Sequence, residues 1–326
     1  MSHMNNLDPS RVLKNIVSLP TLFSFLIVSG VIALIATGFD IDIKQVFSSI
    51  SEVNFLLFAL GFFTHYISFI FRGVRWKILI GDIHCQELKP RTFEYVKLIF
   101  LSNFINSVSL FRVGDLYKVY AFNKKYSHGF TVLLGTLITE RFFDCIMLAV
   151  FTGVFGQLLL KTSHPEIQFL IYVPVILLII LSLAIVIVNK LSIPSLIWLH
   201  SPLKKIKKGT NIPKSAVIPA LIMSLLAWTC EIVRVYLIAS ALHLDLKFTH
   251  TAILSLTHAM LTLVPTPGGI GAVESGVATV GTLLIGMTAE QSISLILLDR
   301  SITYLSVIFI GAILFTIVIV NLRKTK

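Results

Sequence analysis

Charged residues and cysteines are both scarce in this chain. Only 13% of its 326 residues are charged, against about a quarter in soluble domains, so they cannot cover the surface of a soluble fold. The three cysteines, Cys85, Cys145 and Cys230, are too few for a secreted disulfide scaffold. Two of them lie inside apolar runs and are expected to be small core residues. What remains is an all-α, polytopic integral membrane protein.

Familiar catalytic motifs are also missing. The sequence has no His-Glu-x-x-His zinc motif and no Gly-x-Ser-x-Gly nucleophile elbow. His65 and His258 stand alone, and we expect them to be core or cavity-lining residues rather than metal ligands. The longest soluble stretch, about 190–213, is a lysine-rich connector that is too short for a catalytic domain. We therefore expect no enzyme activity, no cofactor and no metal.

Acidic residues are outnumbered, since 27 Lys and Arg face 16 Asp and Glu. A nucleic-acid partner would be one explanation, but the basic residues of a membrane protein collect on its cytoplasmic loops without one. We therefore expect no nucleic-acid partner. The cluster Lys204-Lys205-Ile206-Lys207-Lys208 is expected to lie against anionic cytoplasmic lipid.

A membrane-spanning helix needs about 20 mostly apolar residues. Two long apolar stretches, 93–128 and 249–284, are interrupted by polar or Gly-Pro segments. We expect each to be a re-entrant hairpin or a pair of tilted spans, for about eight transmembrane segments in total. The six uninterrupted stretches are 19–39, 53–80, 130–160, 168–189, 214–242 and 290–322.

The positive-inside rule gives one consistent path for these segments. It places 21 basic residues on the cytoplasmic side and 3 on the outer side, with both termini cytoplasmic. The chain divides into a tail at 1–18, a single transmembrane domain at 19–322 and a short tail at 323–326. Residues 1–3 are typical of a cloning scar. The predicted location is the cytoplasmic membrane of a bacterium or an archaeon.

Charged positions repeat at an offset of 159 residues without a gap. The hairpins of the two halves enter from opposite sides, so we predict inverted repeats at about 53–160 and 214–322. This architecture recurs in secondary transporters. The matched pairs are Arg75 with Arg234, Asp115 with Glu274, Glu140 with Asp299, and Arg141 with Arg300.

The charges of the predicted spans need partners, because a charge at the bilayer centre costs on the order of 3 kcal/mol. Adjacent residues on a helix diverge, so Glu140 and Arg141 cannot pair well with each other. We predict the pairs Arg141–Asp144 and Arg234–Glu231. These charges either assemble the bundle through salt bridges or line a cavity whose arginines bind an anionic head group. In the second case, protons or cations are carried by the acids.

The segment Pro265–Gly271 predicts a helix break with free backbone amides, whose following half-helix points its N-terminus at a ligand. A simple kink between packed helices is the alternative. The candidate substrate-binding residues are Arg75, Arg112, Arg141, Arg234, Arg300, Gly268, Gly269 and Gly271. The candidates for ion coupling or gating are Asp115, Glu140, Asp144, Glu231, Glu274 and Asp299.

Four motifs together resemble the lysylphosphatidylglycerol synthase transmembrane-region family over roughly residues 20–322. They are Arg-x-Gly-Asp at 112–115, Glu-Arg-x-x-Asp at 140–144, Pro-x-Pro-Gly-Gly-Ile-Gly-x-x-Glu at 265–274 and Asp-Arg-x-x-x-Tyr at 299–304. The family is similar to the flippase half of the bacterial multiple peptide resistance factor, so the resemblance implies a lipid-flipping membrane domain. The aminoacyl-transferase domain of that factor is expected to be absent, since the chain stops at Lys326.

Three hypotheses about function follow. The first is a flippase or transporter for a lipid with an anionic, phosphate-bearing head group. The second is a membrane-embedded transferase acting on a polyprenyl phosphate or a phospholipid, which the naming of some relatives as glycosyl-transfer proteins keeps open. The third is a non-catalytic assembly partner of an envelope enzyme. Self-association into a homo-oligomer is also open.

Overall fold

The chain folds into helices alone in the part that the computed structural model describes, residues 42–81, 90–109, 111–159, 165–190 and 197–324. The all-α prediction is confirmed for this part. A 3₁₀ turn at Pro267–Gly269 precedes α10, while π-helical turns at Gly281–Ile285 and Ser301–Ser306 follow α10 and join α11 to α12. The helices are α1 Ile43–Ser51, α2 Phe55–Ile80, α3 Thr92–Val108, α4 Val113–Tyr126, α5 Phe130–Leu159, α6 Pro165–Lys190, α7 Ile197–Thr210, α8 Lys214–Ala241, α9 Phe248–Leu261, α10 Ala272–Val280, α11 Ala289–Arg300 and α12 Val307–Lys324.

Four helical segments within the described ranges are long and apolar enough to cross a membrane. They are Phe55–Ile80, Lys214–Ala241, Pro267–Ile285 and Ala289–Val318. The chain is therefore a polytopic α-helical membrane protein. The predicted span 19–39 and the N-terminal tail lie outside the described residues, so the count of about eight segments and the sides of the termini stay predictions.

Both interrupted stretches are hairpins of two short helices. In the first, α3 and α4 meet at a turn where Phe111 and Arg112 take positive φ angles of 57° and 53°. Gly114 lies so close to α3 that a Cβ there would overlap the carbonyl oxygen of Ser102. In the second, α9 and α10 are joined through Gly268, whose φ is 58°. The predicted breaks are confirmed, and their placement relative to the bilayer stays a prediction.

The order of elements is the same in the two halves. Each begins with a long helix (α2 or α8), continues with a broken hairpin, and ends with a helix carrying an acid followed by arginine. The residues that precede the second helix of each hairpin both have positive φ but differ in ψ: Arg112 has φ 53° and ψ 42°, and its counterpart 159 residues on, Gly271, has φ 83° and ψ −49°. Two apolar clusters join elements of both halves. The first, around Trp76 and Phe104, includes Phe315 of α12, and the second, around Ile238 and Ile302, has Phe62 of α2 packed against it.

Helix α7, which carries the lysine cluster, packs tightly across α5. Glycines make this approach possible: a Cβ at Gly209 would overlap the carbonyl oxygen of Val132, and one at Gly135 would overlap that of Ile206. The side chains of the four lysines at 204, 205, 207 and 208 are exposed. The cluster therefore projects from a helix that is held firmly against the bundle.

Candidate functional site

A polar cavity of about 190 Å³ lies where the two halves meet, between α2, α3, α5, α8, α9 and α11. Its wall carries five arginines but only two acids, Asp144 and Glu231, so it favours a negatively charged ligand. Phe69, Leu148 and Trp228 add apolar surface. The arginines are Arg72, Arg112, Arg141, Arg234 and Arg300.

Arg75 lies behind this wall. Its side chain is 0% exposed, and its guanidinium donates to Asp144 at 2.7 Å, to Ser224 at 2.9 Å and to Glu140 at 3.3 Å. Lys118 donates to Glu140 from the other side at 2.7 Å. The sequence predicted Arg75 to bind substrate. Arg75 is absent from the cavity wall, and its terminal nitrogens are held by two carboxylates and a hydroxyl, so it neutralises buried carboxylates.

Arg141 connects the buried layer to the cavity. It donates to Asp144 and to Asp115, each at 3.1 Å, while the oxygen of neighbouring Glu140 is 3.9 Å away. The predicted Arg141–Asp144 pair is present, and the adjacent pair is the weaker contact, as the geometry of a helix requires. The side chain of Arg141 is 30% exposed, so part of it is accessible from the cavity.

Arg234 is the counterpart of Arg75 in the second half. It donates to Asp299 at 2.8 Å, contacts the Nδ1 atom of His65 at 3.2 Å, and pairs with Glu231 as predicted. Positions 65 and 224 are also 159 apart, so the contact of Arg234 with His65 repeats that of Arg75 with Ser224. Arg234 lines the cavity although its side chain is only 2% exposed.

Arg300 holds the second hairpin in place. Its Nε donates to Glu274 at 2.7 Å and its Nη1 donates to the carbonyl oxygen of Gly268 at 2.9 Å. The first contact repeats that of Arg141 with Asp115 at the 159-residue offset. The guanidinium also lies over the ring of Tyr304, 5.8 Å from its centre, a cation–π arrangement.

The start of α10 has one backbone amide that is bonded internally. The carboxylate of Glu274 accepts the backbone N–H of Gly271 at 2.6 Å, so the acid caps its own helix. Gly269 and Gly271 are absent from the cavity wall, and Gly268 alone of the three glycines lines it. The amide of Gly271 is therefore occupied by an internal carboxylate, and Glu274 is fixed by Arg300 and this bond. A ligand contact by the rest of this helix N-terminus stays a prediction.

Arg72 and Glu231 pair directly across the two halves, at 3.3 Å. Their numbers differ by 159, so each occupies the other's matched position. A two-fold relation between the halves would therefore exchange Arg72 with Glu231. Arg72 also lies over the Trp228 ring, 5.8 Å from its centre.

Several donors of the wall residues have no hydrogen-bond partner among the described residues. They include the Nη2 atom of Arg300 and the Nε2 atom of His65, whose residues are 8% and 5% exposed, and the Nε atoms of Arg72 and Arg112. An unsatisfied buried donor costs about 1–3 kcal/mol. These donors are themselves enclosed, so oxygen atoms of a phosphate or sulfate group would remove this cost only if the side chains turn toward the cavity.

Charges in the whole network nearly cancel, but they are unevenly distributed. Arg72, Arg75, Arg112, Lys118, Arg141, Arg234 and Arg300 carry seven positive charges, and Asp115, Glu140, Asp144, Glu231, Glu274 and Asp299 carry six negative ones, which leaves +1 with neutral histidines. Four of the six acids, Asp115, Glu140, Glu274 and Asp299, lie behind the wall. The cavity is therefore positive against a nearly neutral background.

The structure also corrects the use of four basic residues as orientation markers. Arg72, Arg75, Arg112 and Lys118 belong to the buried network. The count of basic residues on the predicted cytoplasmic side falls from 21 to 17 against 3 outside. The inferred orientation keeps a strong charge bias.

Sequence reasoning missed Arg72 and Lys118, whereas its expectation that His65 and His258 are core or cavity-lining residues is confirmed. Arg72 could have been found from the sequence, because the residue 159 positions later, Glu231, is also charged, although its charge has the opposite sign. No such signal existed for Lys118, whose matched residue is Val277. Within the described residues there is no group of three or more His, Cys, Asp or Glu side chains that could hold a metal ion.

Comparisons with known proteins agree with this architecture. The family model described as lysylphosphatidylglycerol synthase TM region matches residues 21–311. A UPF0104 membrane protein of Methanocaldococcus jannaschii is 31% identical over 228 residues, covering 68% of this chain and 97% of the relative. A UPF0104 membrane protein of Methanothermobacter thermautotrophicus is 26% identical over 302 residues, covering 83% and 86% respectively. This chain belongs to the lysylphosphatidylglycerol synthase transmembrane-region family.

Proposed function

We propose that the protein moves a lipid with an anionic, phosphate-bearing head group across the cell membrane. The observation that carries this proposal is the cavity wall of five arginines and two acids, with unsatisfied donors on three of those arginines. Guanidinium groups bind phosphate oxygens two at a time. The head group would occupy the cavity while the acyl chains remain in lipid.

The repeated architecture supports transport between two faces of a membrane. Matched halves that meet at one site can rock about it, because contacts available in one half have equivalents in the other. The pair of Arg72 with Glu231 would be the pivot, since each residue occupies the other's matched position. The ion pairs at Asp115 and Glu274 tie each hairpin to the following helix and would gate access from its own side.

The protein is proposed to act in a particular membrane and against a particular lipid surface. The location is the cytoplasmic membrane of a bacterium or archaeon, with inverted repeats and the lysine cluster at 204–208 lying along anionic lipid. No chemical change of the lipid is part of the function. A homo-oligomer or an envelope enzyme as partner is compatible with it, and neither is required.

Lipid movement in vesicles tests the proposal. The full chain would be reconstituted with fluorescent phosphatidylglycerol, phosphatidic acid or polyprenyl phosphate, and movement read from quenching of the outer leaflet. We expect the protein to accelerate at least one of these lipids. The variants Arg72→Gln and Arg112→Gln should slow it about tenfold each, because each removes a charged hydrogen-bond donor of the wall.

Lys97→Gln is the matched control, because Lys97 pairs with Glu94 outside the cavity. It should transport as the unmodified chain does. If none of the three lipids moves faster than in protein-free vesicles, or if the two arginine variants match the control, the proposal is wrong.

The membrane-embedded transferase remains the competing function. The observation that favours it is His258 beside Asp299, with Nδ1 and Oδ2 2.6 Å apart, an arrangement in which a carboxylate orients a histidine base. Mass spectrometry of the lipid after the vesicle assay distinguishes the two functions. A transporter leaves every lipid mass unchanged, whereas a transferase produces a new one.

A further inference from the structure

One difference between the two halves concerns the second basic partner of a matched acid. Glu140 and Asp299 occupy matched positions, and each accepts from a matched arginine, Arg75 or Arg234. Each acid also has a second basic partner. For Glu140 this is Lys118, at 2.7 Å, and for Asp299 it is His258, at 2.6 Å. The second partner is thus a lysine in one half and a histidine in the other, each contributed from a position without a matched basic residue.

The geometry of His258 suits proton binding. Its Nδ1 faces the carboxylate of Asp299, which Arg234 keeps in its charged form by donating at 2.8 Å. The carboxylate thus accepts Nδ1–H and leaves Nε2 as the atom that gains or loses a proton. His258 lines the cavity, whereas Lys118 does not. Histidine is the side chain that changes charge near neutral pH.

His65, the other histidine of the wall, is in a different electrostatic situation. Its Nδ1 contacts a guanidinium nitrogen of Arg234 at 3.2 Å, and that nitrogen can only donate, so Nδ1 accepts. A proton there would break this contact and bring two positive charges together. The side chains facing the two histidines are Asp299 and Arg300 from α11, Arg234 and Glu231 from α8, and Arg72 from α2. The Nδ1 of His65 also lies 3.7 Å from Glu231, with one guanidinium nitrogen of Arg234 contacting both, whereas the Nδ1 of His258 lies 2.6 Å from Asp299.

We infer that His258 and Asp299 form a proton-binding site that couples uptake of one proton to binding of the anionic head group. Protonation of His258 adds a positive charge to a wall that already carries five arginines, so the proton and the anion strengthen each other's binding. In the first half the second partner of the matched acid is Lys118, which lies behind the wall and not in it, so the proposed proton site belongs to the second half. This inference rests on the proposed function.

The direct test is the pH dependence of lipid binding to the purified full chain. A short-chain phosphatidylglycerol is the probe, because its phosphodiester keeps one charge throughout the range used. We expect about tenfold tighter binding at about pH 5.5 than at about pH 8. His258→Gln can still donate to Asp299 but cannot titrate, so its affinity should change less than about twofold.

Two further variants separate titration from folding. His258→Lys imitates the first half and should bind the lipid tightly at both pH values. His250→Gln is the matched control, since His250 lies on the same helix α9 outside the cavity wall, and it should keep the full pH dependence. In weakly buffered solution, adding the lipid should draw protons from the medium with the unmodified chain and not with His258→Gln.

The outcomes distinguish this inference from the proposed function. A chain that binds and moves phosphatidylglycerol equally well at both pH values overturns the proton site alone. A His258→Gln protein that retains the tenfold dependence, or retains proton uptake, also overturns it. A chain that binds no phosphatidylglycerol at either pH and moves none of the three phosphate lipids overturns both.

Discussion

Lys118 is buried, and the residue at its matched position in the other half, Val277, is uncharged. The ammonium group of Lys118 has two partners. It donates to Glu140 at 2.7 Å and lies 4.7 Å from the centre of the Trp76 ring. Removing one member of a buried ion pair costs about 3 kcal/mol, because the other charge remains desolvated. We therefore expect Lys118→Met to lower stability by about this amount, measured as thermal unfolding in detergent.

Lys97→Met is the control for that prediction. The pair of Lys97 with Glu94 is partly exposed, with side-chain exposures of 22% and 20%, and such pairs contribute at most about 1 kcal/mol. Adding Glu140→Gln to Lys118→Met should recover part of the lost stability, since the carboxylate that lost its lysine partner is then replaced by a neutral amide. Equal destabilisation by Lys118→Met and Lys97→Met would contradict the account of the buried pair.

The sequence predicted which residues belong to the charged network better than it predicted what surrounds each side chain. Arg141, Arg234 and Arg300 line the cavity as expected, since charges in the middle of an apolar run need a wet or paired environment. Arg75 has the same sequence signature yet is enclosed by acids. What separates it from Arg141 is which side of the helix faces the other half, and helix rotation is fixed by packing rather than by local sequence.

Glycines set the crossing of α5 and α7 at the scale of helices. The Cα of Gly135 and a Cβ placed on Gly209 would lie 2.9 Å apart, so Gly209→Ala forces the helices apart. Overpacking of this kind costs about 1–3 kcal/mol, and we expect a loss of thermal stability of that size. The control is Gly153→Ala in α5, the helix that Gly209 contacts. A Cβ at Gly153 meets no heavy atom within 4 Å, so this variant should be neutral or stabilising. Similar stability of the two variants would contradict this crossing.

The broken hairpins show what periodicity and breakers can predict about elements. Both breaks were predicted from polar residues and Gly-Pro signals, and both are present. The capping of α10 by Glu274 was missed, although Glu274 is the third residue of the helix, a position from which an acid reaches back to the first amides.

For the whole molecule, the pair of Arg72 with Glu231 predicts tolerance of charge exchange. A glutamate at position 72 would have Arg75 three residues on, as Glu231 has Arg234. We expect the double variant Arg72→Glu with Glu231→Arg to recover at least half of the stability lost by the two single variants together. A double-mutant cycle by thermal unfolding measures this. If the double variant loses as much stability as the two single variants together, the exchange of Arg72 and Glu231 between the matched halves is contradicted.

The most direct test of the anion cavity uses Cys145, which lines it while Cys230 does not. In a chain with Cys85→Ser and Cys230→Ser, the rate of modification by negatively and positively charged methanethiosulfonates would be compared, each normalised to free cysteine. Five wall arginines predict that the anionic reagent reacts about tenfold faster, and that phosphatidylglycerol slows it. A preference for the cationic reagent, with no protection by the lipid, would contradict the anion-binding cavity.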